Sequence, residues 1–267
     1  MRPSAVVNDI IAGVLARAIS SFGVDIFAFV FAANHFHLLV RSPHCQIPAF
    51  MQYLRSNIAK KLGNHIDWRG KFWDRRYDAE PVLDDDALVG RLRYILAHGV
   101  KEGLVAHSAD WPGLTSIPEI LAGEQRSFAW PGRSDTSSAT TATTVLRIAT
   151  LPCWEHDAVE VRQDLVRGIM NDIEEVVREE RNGSPVLGAR NVLAQDPHSK
   201  PRSIKRSPRP LCHASTQRAR DDYRAKYRRF LDAYVKASAA YRNGAMAVEF
   251  PAFAHRPPWV VPWRRAA

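Results

Sequence analysis

Two histidines, His35 and His37, stand two residues apart in the run Phe31-Ala32-Ala33-Asn34-His35-Phe36-His37-Leu38-Leu39-Val40-Arg41, which is rich in strand formers. In an extended strand, residues i and i+2 share a face. Both imidazoles therefore project one way, while Leu38 and Val40 turn to the opposite, packed layer. Imidazole is the commonest nitrogen ligand of divalent cations, and a cation held by only two protein groups keeps positions open for substrate. Such a pair requires a third ligand and a nucleophile from elsewhere in the chain. Tyr94 and His98 are four residues apart in a helical pattern, hence on one face, one turn from each other. His98 is the candidate third ligand and Tyr94 the candidate nucleophile. Each alone has a plainer explanation: a helical tyrosine usually belongs to core or rim, and a histidine near a helix C-terminus is a favourable dipole partner. The combination of the two pairs shifts the balance towards chemistry.

The elements that must position these groups follow from periodicity. Val6, Val7, Ile10, Ile11, Val14, Leu15 and Ile19 recur at helical spacing, with Gly23 placed to end the helix. Val24 to Phe31 reads as a buried strand, Ala32-Ala33-Asn34 as a hairpin turn, and the histidine strand follows to Ser42-Pro43. Pro48 suits a first helical turn, and Phe50, Met51, Leu54, Ile58 and Leu62 carry an apolar stripe to Gly63. On the other face Arg55, Lys60 and Lys61 are free to meet phosphate, or simply to be solvated. Trp68 to Val82 alternates enough for an extended segment that closes the sheet; its Arg75, Arg76 and aromatics suit bases and phosphates, or merely cover a sheet face. Asp84-Asp85-Asp86 opens the next helix, with acids at its positive dipole end and apolar Leu88, Val89, Leu92, Ile95 and Leu96, stopping at Gly99.

Three separated motifs in this order carry a resemblance. Asn34 to Val40, Phe72-Trp73-Asp74-Arg75-Arg76-Tyr77, and Tyr94-Ile95 leading to Gly99-Val100-Lys101-Glu102-Gly103-Leu104-Val105 resemble the single-tyrosine HUH transposases. These include the small insertion-sequence transposases and the REP-associated tyrosine transposases of bacteria. The resemblance spans about residues 5 to 115. It implies an α+β, ferredoxin-like antiparallel sheet with helices on one face. It further implies a metal-dependent endonuclease and strand transferase that cuts and rejoins single-stranded or hairpin DNA. In that scheme His35 and His37 match the metal pair, Tyr94 the nucleophile that forms a 5′-phosphotyrosine, and Mg²⁺ or Mn²⁺ the cofactor. The position four after the tyrosine, typically Gln or Asn in the family, is His98 here. Arg55, Lys60, Arg75 and Arg76 would track the DNA backbone and Trp73 stack on a base. A homodimer is implied, the tyrosine helix of one subunit completing the other's site. The family's first strand, interior to the sheet, is missing ahead of the first helix. The true start lies upstream, another segment fills the slot, or this is a decayed copy.

The bounds from composition agree with a DNA-processing protein. The 267 residues suffice for a full core in one or two domains. No apolar run approaches the roughly 20 residues of a bilayer span. The start, Met1-Arg2-Pro3, resembles neither a secretory signal nor a transit peptide. Three scattered cysteines suit a reducing cytoplasm. The net charge of +9 resides in one place: Lys200 to Arg229 holds eleven Lys or Arg, including Lys205, Arg206 and Arg209, against Asp221 and Asp222. Such a block means a nucleic-acid partner or a solvated basic segment. Three regions are expected: a catalytic domain over 1–125, a Ser/Thr/Ala-rich linker over 126–150, and a mainly helical, basic accessory region over 151–267. Helical patterns there run from Asp157 to Arg181, through Val159, Val161, Leu165, Ile169, Ile173 and Val177, and from Arg218 to Arg242. A transposase without a membrane partner is the leading expectation. A catalytically inactive DNA-binding relative is the alternative, and a phosphodiesterase using activated water comes third.

Overall fold

The structure, a computed structural model, describes residues 2–123, 125–130, 142–196 and 210–258. It is α+β and divides into two compact units, Met1–Ala79 with Leu88–Ser207, and Glu80–Ala87 with Pro208–Ala267. The order of elements is α1 (Ala5–Phe22), β1 (Asp25–Phe31), β2 (Phe36–Arg41), α2 (Ile47–His65), α3 (Asp85–Leu96), α4 (His98–Lys101) and α5 (Ile117–Ala122). There follow β3 (Arg126–Trp130), β4 (Ala142–Leu146), α6 (Val159–Glu180), α7 (Ala189–Ala194) and α8 (Gln217–Arg242).

The first unit is built on the β1–β2 hairpin. Phe31 pairs with Phe36, Val30 with His37, Phe29 with Leu38, Ala28 with Leu39 and Ile26 with Val40, so a bulge falls at Phe27. Residues directly opposite each other share a face, and the bulge resets the alternation so that Ile26 joins Phe29 and Phe31 on the core side. Phe36, Leu38 and Val40 pack against the same core. The other face carries Val30, Ala28, His37 and Leu39.

Two helices complete that core. Ser4 caps α1 by accepting from Val7 N, and Gly23 ends it in the left-handed conformation (φ 57°). Val7, Ile11, Val14 and Leu15 are buried while Val6 is exposed. At 18 residues and mean hydropathy 1.5, α1 is long and apolar enough to cross a bilayer by length and composition; its place in the core accounts for that apolarity. The predicted stripe of α2, Phe50, Met51, Leu54, Ile58 and Leu62, is buried throughout, and the helix continues past Gly63 to His65.

The edge of β1 away from β2 is occupied by a later segment of the chain. Phe31 N donates to Leu114 O (2.8 Å), Ser116 N to Phe29 O (3.1 Å) and Ala149 N to Ile26 O (2.8 Å). Ser116 Oγ accepts from Phe29 N (3.0 Å), and Trp111 Nε1 donates to Phe31 O (3.1 Å). These bonds satisfy backbone groups that a neighbouring strand would otherwise serve.

Trp68 to Val82 does not close the sheet. Its aromatics pack on α2 and β2 instead: the Trp73 ring lies edge-on to Phe36 (5.5 Å), and Trp73 Nε1 donates to Arg55 O (2.9 Å). The alternation reflects half-burial against a helix rather than a ladder. Within residues 126–150, β3 and β4 pair antiparallel, Arg126 opposite Leu146, and pack against α1; Leu146 is buried in the core. A composition of Thr and Ala looks structureless, yet Thr and Val form strands once one face is covered. Residues 131–141 lie outside the described residues. The buried face of α6 is Val166, Met170, Ile173 and Val177, whereas Val159, Val161 and Leu165 are exposed.

The second unit centres on α8, capped by Thr216 Oγ1 accepting from Ala219 N (3.2 Å). His213 Nε2 bonds Glu80 Oε2 (2.7 Å), and Asp84 accepts from Ala87 N (2.9 Å) and Ser215 N (2.8 Å). These two backbone bonds hold the Asp84 carboxyl below its ordinary range. Tyr223 stacks on Tyr227 and Phe230 on Tyr234 along the helix.

The close approach of the 111–116 segment to β1 requires a glycine at 113. A Cβ there would stand 2.6 Å from Phe31 O and overlap Trp111 Nε1. Gly113→Ala is expected to cost about 1–3 kcal/mol by overpacking, read as a lower midpoint in urea at unchanged m-value; an unchanged midpoint would contradict the edge assignment.

Candidate metal centre and nucleophile

The hairpin places His35 at the end of the turn, where its carbonyl accepts from Ala32 N (2.9 Å), and His37 within β2 opposite Val30. Their ring centroids are 5.1 Å apart. Helix α3 brings the other pair. Its last residues pass into α4 through Ala97, with Lys101 N donating to Ala97 O, so Tyr94 and His98 remain about one turn apart. The His98 ring lies 4.8 Å from His35 and 5.1 Å from His37, and the Tyr94 ring 5.1 Å from His37. His98 is 7% exposed and Tyr94 37% exposed. The three imidazoles can each offer a nitrogen, all within 4.8 Å of one another. All four side chains come from one chain and one compact unit.

Two neighbours orient these groups. Asn34 Oδ1 lies 2.6 Å from His35 Nδ1. A carboxamide oxygen only accepts, so with this amide orientation Nδ1 carries the proton and Nε2 presents its lone pair. The Arg91 guanidinium sits 5.1 Å over the Tyr94 ring, one turn earlier on the same helix. The sequence marks Asn34 as a turn residue and as the start of the Asn34 to Val40 motif, and gives no separate sign of Arg91 beyond its i, i+3 spacing to Tyr94.

The electrostatics keep the imidazoles neutral. Burial, followed by the charges of His98, His35 and Arg91, brings His37 down to about 3. Burial and His35 bring His98 down to about 4. Burial lowers His35 as well, opposed by the charge of Glu102. Neutral imidazoles are the form that binds a metal. Three converging nitrogen lone pairs, with a phenol beside them, fit a divalent ion with open positions.

The basic residues singled out by sequence divide. Arg55, Lys60, Trp73 and Arg76 line a groove of about 720 Å³ between the outer face of α2 and residues 68–77. Arg55 also has a structural part: its guanidinium donates to Arg75 O and lies 5.2 Å over the Trp73 ring. Arg75 contributes that carbonyl. Lys205, Arg206 and Arg209 lie outside the described residues.

Residues 4–97 match the family model of IS200-like transposases. No curated protein and no solved structure matches the chain. The matched segment contains His35, His37 and Tyr94, ends one residue short of His98, and supports an assignment to the IS200-like transposases, whose activity is DNA transposition.

Depressed histidine pKa values set a stability dependence. Below pH 6.5 the unfolded chain takes up protons that His37 and His98 refuse until about 3 and about 4 when folded. Stability of the metal-free protein therefore falls as pH drops from about 6.5 towards about 4. The melting temperature of the wild type is expected to fall more steeply across this window than that of His37→Gln. Parallel pH profiles would contradict the burial of neutral imidazoles.

Proposed function

We propose that the chain is a metal-dependent tyrosine transposase that cuts and rejoins single-stranded or hairpin DNA. The observation that carries this reading is the convergence of the His35, His37 and His98 rings with the Tyr94 ring. Tyr94 Oη attacks the scissile phosphorus. The bond to the 3′ oxygen breaks, the phenol proton passes to solvent while the departing 3′ oxygen takes one up from it, and a 5′-phosphotyrosine and a free 3′-hydroxyl result. Rejoining is the reverse attack by a 3′-hydroxyl, so the bond energy is kept and no nucleotide is consumed. His35, His37 and His98 would hold a divalent ion, which would supply positive charge against the phosphate as negative charge builds there. Arg91 acts as a positioning residue, its cation over the Tyr94 ring favouring the phenolate. The groove lined by Arg55, Lys60, Trp73 and Arg76 takes the DNA strand, with Lys205, Arg206 and Arg209 adding charge for the backbone. The hairpin with α1 and α2 on one face is then a ferredoxin-like core whose interior slot is served by residues 111–116.

The sites of two subunits need not be shared, because one chain supplies every group. Incubation with hairpin DNA and Mn²⁺ is expected to give a covalent adduct that Tyr94→Phe abolishes and His37→Ala lowers by at least about 100-fold. An equimolar mixture of those two variants should form no adduct. Recovery of the adduct on mixing would show a site completed across subunits. Binding without cleavage would favour an inactive DNA-binding relative, and nicking without an adduct an activated-water mechanism.

A further inference from the structure

The donor set of the candidate centre has a chemical character that neither the family match nor the proposed reaction specifies. Every ligand atom in it is an imidazole nitrogen, and no carboxylate closes on the same point among the described residues. His98, the most buried of the three, makes the set uniform, and it lies just outside the matched segment. Asn34 Oδ1 lies 2.6 Å from His35 Nδ1, which leaves Nε2 as the nitrogen available to an ion.

Uniform nitrogen ligation decides between ions. Mg²⁺ is small and hard, needs near-octahedral oxygen ligation and gives up its waters reluctantly, so three imidazoles compensate it poorly. Imidazole suits the borderline first-row ions, whose affinity for nitrogen sites rises from Mn²⁺ through Co²⁺ to Ni²⁺ and Cu²⁺, with Zn²⁺ also strong. The geometry suits them too. Three nitrogens at about 2.0–2.1 Å from a tetrahedral ion stand about 3.4 Å apart. Rings with ligand atoms already within 4.8 Å of one another reach that by small rotations. Tyr94, 37% exposed, stands beside the trio with its ring 5.1 Å from that of His37.

We infer that His35, His37 and His98 form a centre selective for borderline first-row cations of the Co²⁺ and Zn²⁺ type over Mg²⁺, with His98 as the residue that sets the preference. The inference rests on the proposed reading of these residues as an ion site. It identifies the ion class that His98 brings to that site.

The test uses the full chain, free of any purification tag and of metal, titrated with CoCl₂ and separately with MgCl₂. Melting temperature and the visible ligand-field absorption of Co²⁺ are the readouts, with His35→Ala as the background for adventitious sites. Wild-type protein should bind Co²⁺ at least about 100-fold more tightly than Mg²⁺. ZnCl₂ should displace the Co²⁺ band, and a large excess of MgCl₂ should not. His98→Gln, which replaces a nitrogen donor by a carboxamide, should narrow the ratio at least tenfold, by weakening Co²⁺ rather than by strengthening Mg²⁺. The wild-type competition needs no variant and so stands even where His98→Gln does not fold. Displacement of Co²⁺ by comparable concentrations of Mg²⁺ would overturn the selectivity while leaving the ion site in place. Wild-type behaviour identical to His35→Ala for both ions would overturn the ion site itself and the inference with it.

Discussion

A slip of one residue between β1 and β2 would turn His37 into the core and Leu38 out of it. The pairing of Val30 with His37 and of Phe29 with Leu38 therefore holds the core and the candidate site in place together. Phe29, Phe31 and Ile26 on one strand, with Phe36, Leu38 and Val40 on the other, bind the hairpin to α1 and α2. That leaves His35 and His37 no choice of side, and the bulge at Phe27 keeps Ile26 with the other core residues despite its odd spacing. The apolar pattern thus fixes where the imidazoles point, and α3 with α4 only has to arrive on that side to bring Tyr94 and His98 into contact.

Much of this was readable from residue type and spacing. The i, i+2 relation of the histidines and the four-residue spacing of Tyr94 and His98 are local geometry, which a sequence specifies directly. The stripe of α2 is likewise buried throughout, and in α1 Val7, Ile11, Val14 and Leu15 are buried, Ile10 and Ile19 partly so, and Val6 exposed. What could not be read depends on distant partners. Trp68 to Val82 alternates as a strand does, but its partner is the outer face of α2, which periodicity does not disclose. The pairing of β3 with β4 depends on cover from α1. The bonds that Trp111, Leu114 and Ser116 make to β1 come from a segment with no strand pattern of its own. In α6 the buried face is offset from the one expected, because the pattern contains apolar residues on both sides of the helix. Arg55 was read by charge alone, whereas its guanidinium also ties residues 73–75 to α2.

The matched segment does not close its own core. Leu114 and Leu146, both beyond residue 97, are buried in it, and the outer edge of β1 is hydrogen-bonded by Leu114, Ser116 and Ala149. His98, which completes the trio of imidazoles, also follows the matched stretch. Residues after the family segment are accordingly part of the scaffold and of the candidate centre. The partial burial of His37 and the burial of His98 have a chemical consequence as well. They hold these rings neutral without a carboxylate among the ligands, so a bound cation would keep its full charge for an anionic phosphate.

The central claim is that His35, His37 and His98 close on one cation beside the Tyr94 hydroxyl. Anomalous diffraction at the cobalt edge, from crystals grown with one equivalent of Co²⁺, tests it most directly. The account predicts a single strong peak at about 2.1 Å from one ring nitrogen of each histidine, with Tyr94 Oη on its open side. A peak bonded to His35 and His37 but not His98, or one with Tyr94 turned away from it, would contradict the account.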